Sequence, residues 1–280
     1  MTRNLFIDMH MHSTASDGTV APRELARMCK SANLAFSALT DHDTIDGVSE
    51  YLDEAKEIGL NAISGIEFST KYDGELHILG YGIDIHEKRL SEALAYLAQS
   101  RKNRTCRMVQ KLQDNGIDIS LERVQEIALS GVIGRPHIAR ALAEKGYAKD
   151  VEEAFQKFLS EGCVGYIERN SVTSAEAITL IKGAGGVAVF AHPGVTNDKD
   201  PKALVAKLVS EGLGGIEAYY PEHSDKEVAL YCALAREYGL FITCGSDFHG
   251  VTRKTSRINA ETRGDLNLKK SVVQIFNIFG

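Results

Sequence analysis

The chain has 280 residues, 44% of them hydrophobic and 25% charged, with a formal net charge of −6. That balance suits a soluble globular protein and excludes a generic nucleic-acid coat, whose affinity comes from Lys and Arg. No apolar run approaches the roughly 18 residues of a membrane span, and five scattered cysteines (Cys29, Cys106, Cys163, Cys232, Cys244) exclude a disulfide framework or a zinc knuckle.

Met1-Thr2-Arg3-Asn4 leads straight into the first strand with no room for a signal peptide, so a cytoplasmic protein is expected. Leu5-Phe6-Ile7 reads as a buried strand entering Asp8-Met9-His10-Met11-His12. Side chains alternate on a strand, so Asp8, His10 and His12 share one face and Met9 and Met11 the other. Two imidazoles at i and i+2 where a strand ends make half a metal site, although strand histidines that merely hydrogen-bond have the same spacing. Asp17, in the Ser16-Asp17-Gly18 turn, adds a hard oxygen ligand.

Pro22 suits the first position of a helix with the apolar stripe Leu25, Ala26, Met28, Cys29 and Ala32. Ala35 to Thr40 is a strand running into Asp41-His42-Asp43, and a helix from Val48 to Ile58 breaks at Gly59. Asn61 to Ile66 is a third strand ending at Glu67. Glu75 to Gly82 reads as a further strand, or as a hairpin arm with the turn Lys71-Tyr72-Asp73-Gly74. From Glu87 to about Glu161 nearly everything is helical, with breaks at Asn115-Gly116, Gly131 to Gly134, and Gly146. This is too long for one crossover, so residues 100–165 are expected to be a helical subdomain inserted between 1–99 and 166–280, covering the substrate cleft.

Alternation resumes with Gly165-Tyr166-Ile167 as a strand and a helix from Thr173, where Thr173 and Glu176 have capping-box spacing. Val187 to Ala191 is a buried strand ending in His192-Pro193-Gly194. A helix around Lys202 to Ser210, a strand Gly215 to Tyr220 before His223, and a helix Lys226 to Tyr238 follow. Strand Leu240 to Cys244 enters Gly245-Ser246-Asp247-Phe248-His249-Gly250, and Val272 to Phe279 is a closing helix.

His10, His12, His42, Glu67, His192, Asp247 and His249 all stand where an apolar strand gives out into a loop. In a parallel β/α barrel those ends share one face, where catalytic residues collect. With Asp17 and His77 they make nine candidate ligands, six nitrogen and three carboxylate. That is too many for one ion, so two or three divalent metals are implied; imidazole plus carboxylate suits Zn, Mn or Fe. Glu67 has two oxygens and can bridge two ions. Metals held a few ångström apart would carry a bridging hydroxide as attacker and clamp phosphoryl oxygens, the requirement for phosphoester hydrolysis at neutral pH. His77 or His192 taken alone reads equally as a satisfied core histidine.

The motifs Asp-x-His-x-His-Ser-x-x-Ser-Asp-Gly, Thr-Asp-His-Asp, Glu67, His-Ile-Leu-Gly-Tyr-Gly, Ala-His-Pro-Gly and Gly-Ser-Asp-Phe-His run in order from residue 8 to 250. In this the chain resembles the PHP (polymerase and histidinol phosphatase) family of metal-dependent phosphoesterases. The resemblance implies a distorted (β/α)7 TIM-like barrel with a trinuclear centre. It places His10, His12, Glu67 and Asp247 on one metal; Glu67, His77 and His192 on a second; and Asp17, His42 and His249 on a third. Many family members carry a histidine where Asp17 stands, and a carboxylate there lowers the local positive charge.

The helical insertion resembles one branch of the family, bacterial enzymes that remove the 3′-phosphate from nucleoside 3′,5′-bisphosphates, some of which also trim short RNA from its 5′ end. The supporting stretch is Ile133-Gly134-Arg135-Pro136-His137-Ile138-Ala139, where free N–H groups at a helix start beside Arg135 suit a phosphate. Arg169 is a weaker substrate candidate, and His223 is a candidate acid for the leaving oxygen beside the catalytic carboxylates Glu67 and Asp247. Arg101, Lys102, Arg104, Arg107 and Lys111 form a basic run that steers a polyanion or is a solvated helix face. The expected substrate is a small phosphorylated nucleotide. The alternatives are short RNA, a histidinol-phosphate-type substrate, and a metal-binding regulatory module without turnover; no membrane or obligate protein partner is indicated.

Overall fold

Each short apolar run is bracketed by turn residues and followed by a stretch of helical periodicity, so strands and helices alternate. The structure, a computed structural model, describes residues 6–128, 133–168, 170–252, 258 and 266–279. In chain order β1 (Phe6–Asp8), α1 (Pro22–Ser31), β2 (Leu34–Ala38), α2 (Val48–Ile58), β3 (Ala62–Ile63), β4 (Gly65–Ser69) and β5 (His77–Tyr81) lead into the long helix α3 (Lys88–Asp114). Next come α4 (Leu121–Ile127), α5 (Arg135–Glu144) and α6 (Val151–Ala154), the last continuing into a π-helical turn at Phe155–Leu159. The remaining elements are α7 (Ser174–Gly183), β6 (Val187–Phe190), α8 (Pro193–Thr196), α9 (Pro201–Glu211), β7 (Gly215–Tyr219), α10 (Asp225–Tyr238), β8 (Phe241–Cys244) and α11 (Leu266–Phe279). Two compact units result, Met1–Ala93 with Ser171–Gly280, and Leu94–Asn170.

The first unit is mixed α/β. β1, β2 and β3 pair in parallel, while a five-stranded sheet runs β4-β5-β6-β7-β8. In the latter β5 is antiparallel to both neighbours, and only β6, β7 and β8 are mutually parallel. Of the two readings of Glu75 to Gly82, the hairpin arm is the one the pairing bears out, and the sheet is not parallel throughout. The segment 70–76 between β4 and β5 is too short for a parallel crossover, which needs a dozen residues or more, and closes a hairpin instead. The strand expected from Asn61 to Ile66 is also divided, β3 pairing with β2 and β4 with β5. Gly65 marks the break: a Cβ there would stand 2.6 Å from the Leu39 carbonyl oxygen, so only glycine allows the close passage.

Backbone hydrogen bonds connect the two sheets along both margins. Met9 N–H donates to Cys244 O (3.0 Å) and His12 N–H to Phe248 O (2.8 Å); on the other side Asp43 N–H donates to Glu67 O (2.9 Å) and Glu67 N–H to Asp41 O (3.1 Å). The ends of β1, β2, β4 and β8 are thereby neighbours. Behind β1, Met11 packs with Leu25, Cys29, Leu39, Tyr51 and Ala55, each large side chain contributing about 1.5–3 kcal/mol by leaving water. That apolar anchor fixes the strand's register and turns His10 and His12 to its opposite face.

The second unit has its own core, in which Met108, Leu112, Val124, Ile138, Leu142 and Leu159 are buried. The strand expected at Gly165-Tyr166-Ile167 does not form. Lys111 Nζ donates to Tyr166 O (2.9 Å) and Arg104 Nε to Ile167 O (2.6 Å), so side chains take the carbonyls a neighbouring strand would have used. The break expected at Gly131 to Gly134 falls partly outside the described residues. Among the described residues no helix is long and apolar enough to cross a membrane.

Candidate metal centre

Glu67 lies in β4 with no exposed surface and is the hub of the site. Its Oε2 is 2.9 Å from His42 Nδ1, 3.2 Å from His10 Nε2 and 3.3 Å from His12 Nε2. Its Oε1 is 2.9 Å from His77 Nδ1 and 3.1 Å from His192 Nε2. Asp247 Oδ1 stands 3.1 Å from His12 Nε2 and 3.6 Å from His10 Nε2. Asp17 reaches His249 Nε2 at 3.3 Å and His12 Nδ1 and His42 Nε2 at 3.9 Å. Three donor groups overlap here: His10, His12, Glu67 and Asp247; His12, Asp17, His42 and His249; and His42, Glu67 and His77. Within each, the ligand atoms lie within 4.8 Å of one another.

All nine nitrogen and oxygen donors expected from the sequence thus belong to one connected cluster, and its chemistry fits cations. His10 Nε2, both nitrogens of His12, His42 Nδ1 and Glu67 Oε2 are buried without a hydrogen-bond partner. Leaving such groups unsatisfied costs about 1–3 kcal/mol each, and a divalent ion coordinated by their lone pairs removes that cost. Burial opposes ionisation of Glu67, but the rings of His42, His10 and His77 hold its carboxyl well below the usual carboxylate range. Burial likewise disfavours a charged His12, yet Asp247 and Glu67 push its pKa up to about 10. Ions entering this set displace protons, so loading weakens in acid.

A second layer of groups fixes the donors. Asp41, buried, accepts from Ser13 N–H (2.7 Å), Ser13 Oγ (2.7 Å) and Ser16 Oγ (2.6 Å), pinning the loop that carries Asp17. Tyr220 Oη donates to Asp247 Oδ2 at 3.0 Å, leaving Oδ1 turned to the imidazoles. His192 and Asp247 hold φ of 26° and 53°, a left-handed region that costs a side chain about 1–3 kcal/mol and is characteristic of functional sites. Asp247 N–H is held by His10 O at 2.8 Å. Glu217, which the sequence reading passed over as one residue of an apolar strand, contacts His10 and His192. An acid between Ile216 and Ala218 in the middle of a buried run was the available signal.

The remaining candidates are placed differently. His223, expected as a proton donor, is held by the backbone. Its Nδ1–H donates to Ala218 O (3.0 Å) and its Nε2 accepts from Gly194 N–H (3.0 Å), so both nitrogens are committed to backbone, and burial lowers its pKa. Arg135 opens α5 in the other unit, its guanidinium carbon 5.6 Å from the centre of the Phe155 ring. Just before this helix start, where free N–H groups were expected near Arg135, the Gly134 N–H donates to His137 Nδ1 at 3.0 Å. Arg169 lies outside the described residues.

Comparison with known proteins agrees with this chemistry. The PHP domain model matches residues 8–178. The 5′-3′ exoribonuclease Rnm of Escherichia coli is 36% identical over 247 residues, covering 86% of this chain and 84% of the relative. The 3′,5′-nucleoside bisphosphate phosphatase of Chromobacterium violaceum is 33% identical over 249 residues, 87% of each chain. Among solved structures, one from Bifidobacterium adolescentis assigned as a metal-dependent phosphoesterase gives a TM-score of 0.84 at 29% identity. The match covers 99% of this chain and 97% of that one. A mixed α/β scaffold gathering imidazole and carboxylate donors on this lineage defines a metal-dependent phosphoesterase, a hydrolase. The chain belongs to the PHP domain family.

Proposed function

We propose that the chain removes the 3′-phosphate from nucleoside 3′,5′-bisphosphates. The observation that carries the reading is the Glu67 carboxylate, whose two oxygens face two different sets of imidazoles within 3.3 Å. The two sheets, hydrogen-bonded along both margins and with β3 and β4 taken as one broken strand, are read as a distorted seven-stranded β/α barrel. His10, His12, Glu67 and Asp247 would hold one ion; Glu67, His77 and His192 a second; and Asp17, His42 and His249 a third. Ions of the Mn, Zn or Fe class bound there would supply an activated water and neutralise phosphoryl charge.

The chain's own residues orient that chemistry. Glu67 presents its anionic oxygens from the middle of β4 and Asp247 from the loop after β8, Tyr220 fixes which Asp247 oxygen is presented, and Asp41 holds the Asp17 loop. Two observations favour a small substrate over a polymer: the net charge of −6, and the use of Arg104 and Lys111, from the basic run, to hold the 166–167 carbonyls. The second reading, 5′-3′ trimming of short RNA, is supported by the similarity to the E. coli exoribonuclease.

The test is phosphate release from adenosine 3′,5′-bisphosphate with added Mn(II), measured beside 5′-phosphorylated oligoribonucleotides of increasing length. Turnover highest on the bisphosphate, abolished by chelator and restored by Mn(II), is expected. Turnover that rises with oligonucleotide length assigns RNA instead. A metal-replete protein inert toward all of these and toward other phosphomonoesters overturns the proposal.

A further inference from the structure

Glu217 occupies the middle of β7 with no exposed surface, where an unpaired carboxylate would cost several kcal/mol. Both its oxygens are 3.2 Å from His10 Nδ1, and Oε2 also accepts the His192 N–H at 2.8 Å. Room for it is built in: a Cβ on Gly245 would lie 2.5 Å from Glu217 Oε1 and 2.1 Å from His10 Cβ. A side chain at Gly245 would therefore drive these two apart.

An ionised carboxylate only accepts hydrogen bonds, so facing His10 Nδ1 it requires the hydrogen to sit on that nitrogen. The hydrogen that a cation would displace is then the one on Nε2, the atom that lies 3.2 Å from Glu67 Oε2. Through the His192 N–H the same carboxylate holds a residue at φ 26°, whose Nε2 reaches Glu67 Oε1 at 3.1 Å. On the reading proposed above, His10 and His192 serve different ions.

We propose that Glu217 is a positioning residue that fixes the ring tautomer of His10 and the backbone of His192 together, so that two metal positions are prepared by one buried carboxylate. The proposal rests on those two histidines being ligands. Glutamine at this site has one accepting oxygen and one donating amide. If the oxygen stays on His192 N–H, the amide faces His10 Nδ1 and forces the hydrogen onto Nε2, which then cannot bind a cation.

The test uses Mn(II) titration calorimetry on wild type and Glu217→Gln, together with ¹⁵N NMR of the histidine rings in the Zn(II)-loaded wild type. A loss of about 10–100-fold in Mn(II) affinity is expected for the variant, the range found when a carboxylate behind a ligating histidine is removed. In the wild type, His10 should bind zinc through Nε2 and carry hydrogen on Nδ1. Mn(II) affinity unchanged within about twofold in a folded variant, or His10 ligating through Nδ1, overturns the proposal. If the variant does not fold, the wild-type spectrum decides. Wild type that binds neither metal refutes the underlying ligand reading, whereas wild type and variant binding equally well refute only the role of Glu217.

Discussion

Replacing Glu67 by glutamine keeps the volume of a fully buried side chain, so packing is retained and only charge and acceptor number change. Five ring nitrogens lie 2.9–3.3 Å from its two oxygens, three on Oε2 and two on Oε1. Whichever way the amide is turned, its NH2 faces one of these groups and donates to lone pairs that a cation needs. On the proposed ligand set one bridging oxygen would be lost in either orientation, and with it the negative charge between two ion positions. Lewis-acid stabilisation of a phosphoryl transition state is worth several kcal/mol. Taking about 4 kcal/mol, at 1.36 kcal/mol per tenfold, kcat/KM for phosphate release falls by about 10³. The assay is phosphate release at saturating Mn(II), with bound metal per chain measured in parallel and the fold checked by circular dichroism. A Glu67→Gln protein that keeps its full metal complement and a kcat/KM within about tenfold of wild type refutes the bridging role.

Two other perturbations separate structural from chemical roles. His223→Gln removes a buried ring bonded at both nitrogens, so urea unfolding should show a loss of about 1–3 kcal/mol while the shape of the pH–rate profile stays unchanged; a missing limb would return the proton-transfer role to His223. Glu54, buried between α1 and α2, accepts from Arg27 Nε (2.7 Å) and Arg23 Nη1 (2.8 Å), and its pKa is lowered from the ordinary 4.5, chiefly by the Arg27 hydrogen bond. A depressed carboxyl pKa stabilises the fold above the unfolded-state value and ceases to do so as pH falls through the folded one. The Tm advantage of wild type over Glu54→Gln should therefore be present at neutral pH and fade below about pH 4.5; an advantage independent of pH contradicts the pairing.

Strand and helix positions in the first unit were legible because apolar alternation and end signals agree there. Pro22 begins α1, Gly59 at φ 68° ends α2, and Thr173 forms its capping box with Glu176. Strand direction was legible only in part: periodicity carries no sign, and the Lys71-Tyr72-Asp73-Gly74 turn offered the hairpin arm as one of two readings that the pairing then decides. Gly165-Tyr166-Ile167 has strand composition, yet Arg104 and Lys111, some 60 residues earlier by sequence, satisfy its carbonyls, and no local pattern encodes that. The metal-ligand candidates stood out because histidines and acids at strand ends break an apolar pattern visibly. Glu217 sits inside a strand rather than at its end, and its partners come from the segment after β1 and the turn after β6, so only the folded chain connects them. His223 carried the same strand-end signal as the ligands, and sequence does not show that Ala218 and Gly194 occupy both its nitrogens.

The pairing of β8 with β1 also sets an order of events during synthesis. His10 and His12 emerge from the ribosome early, but Asp247 reaches them only after β8 docks, through Met9 N–H on Cys244 O and Asp247 N–H on His10 O. Glu67 and His77, ten residues apart on one hairpin, meet long before. A nascent chain halted short of β8 would therefore offer an incomplete set of donors, and on the proposed ligand set tight metal capture would wait for β8 to dock.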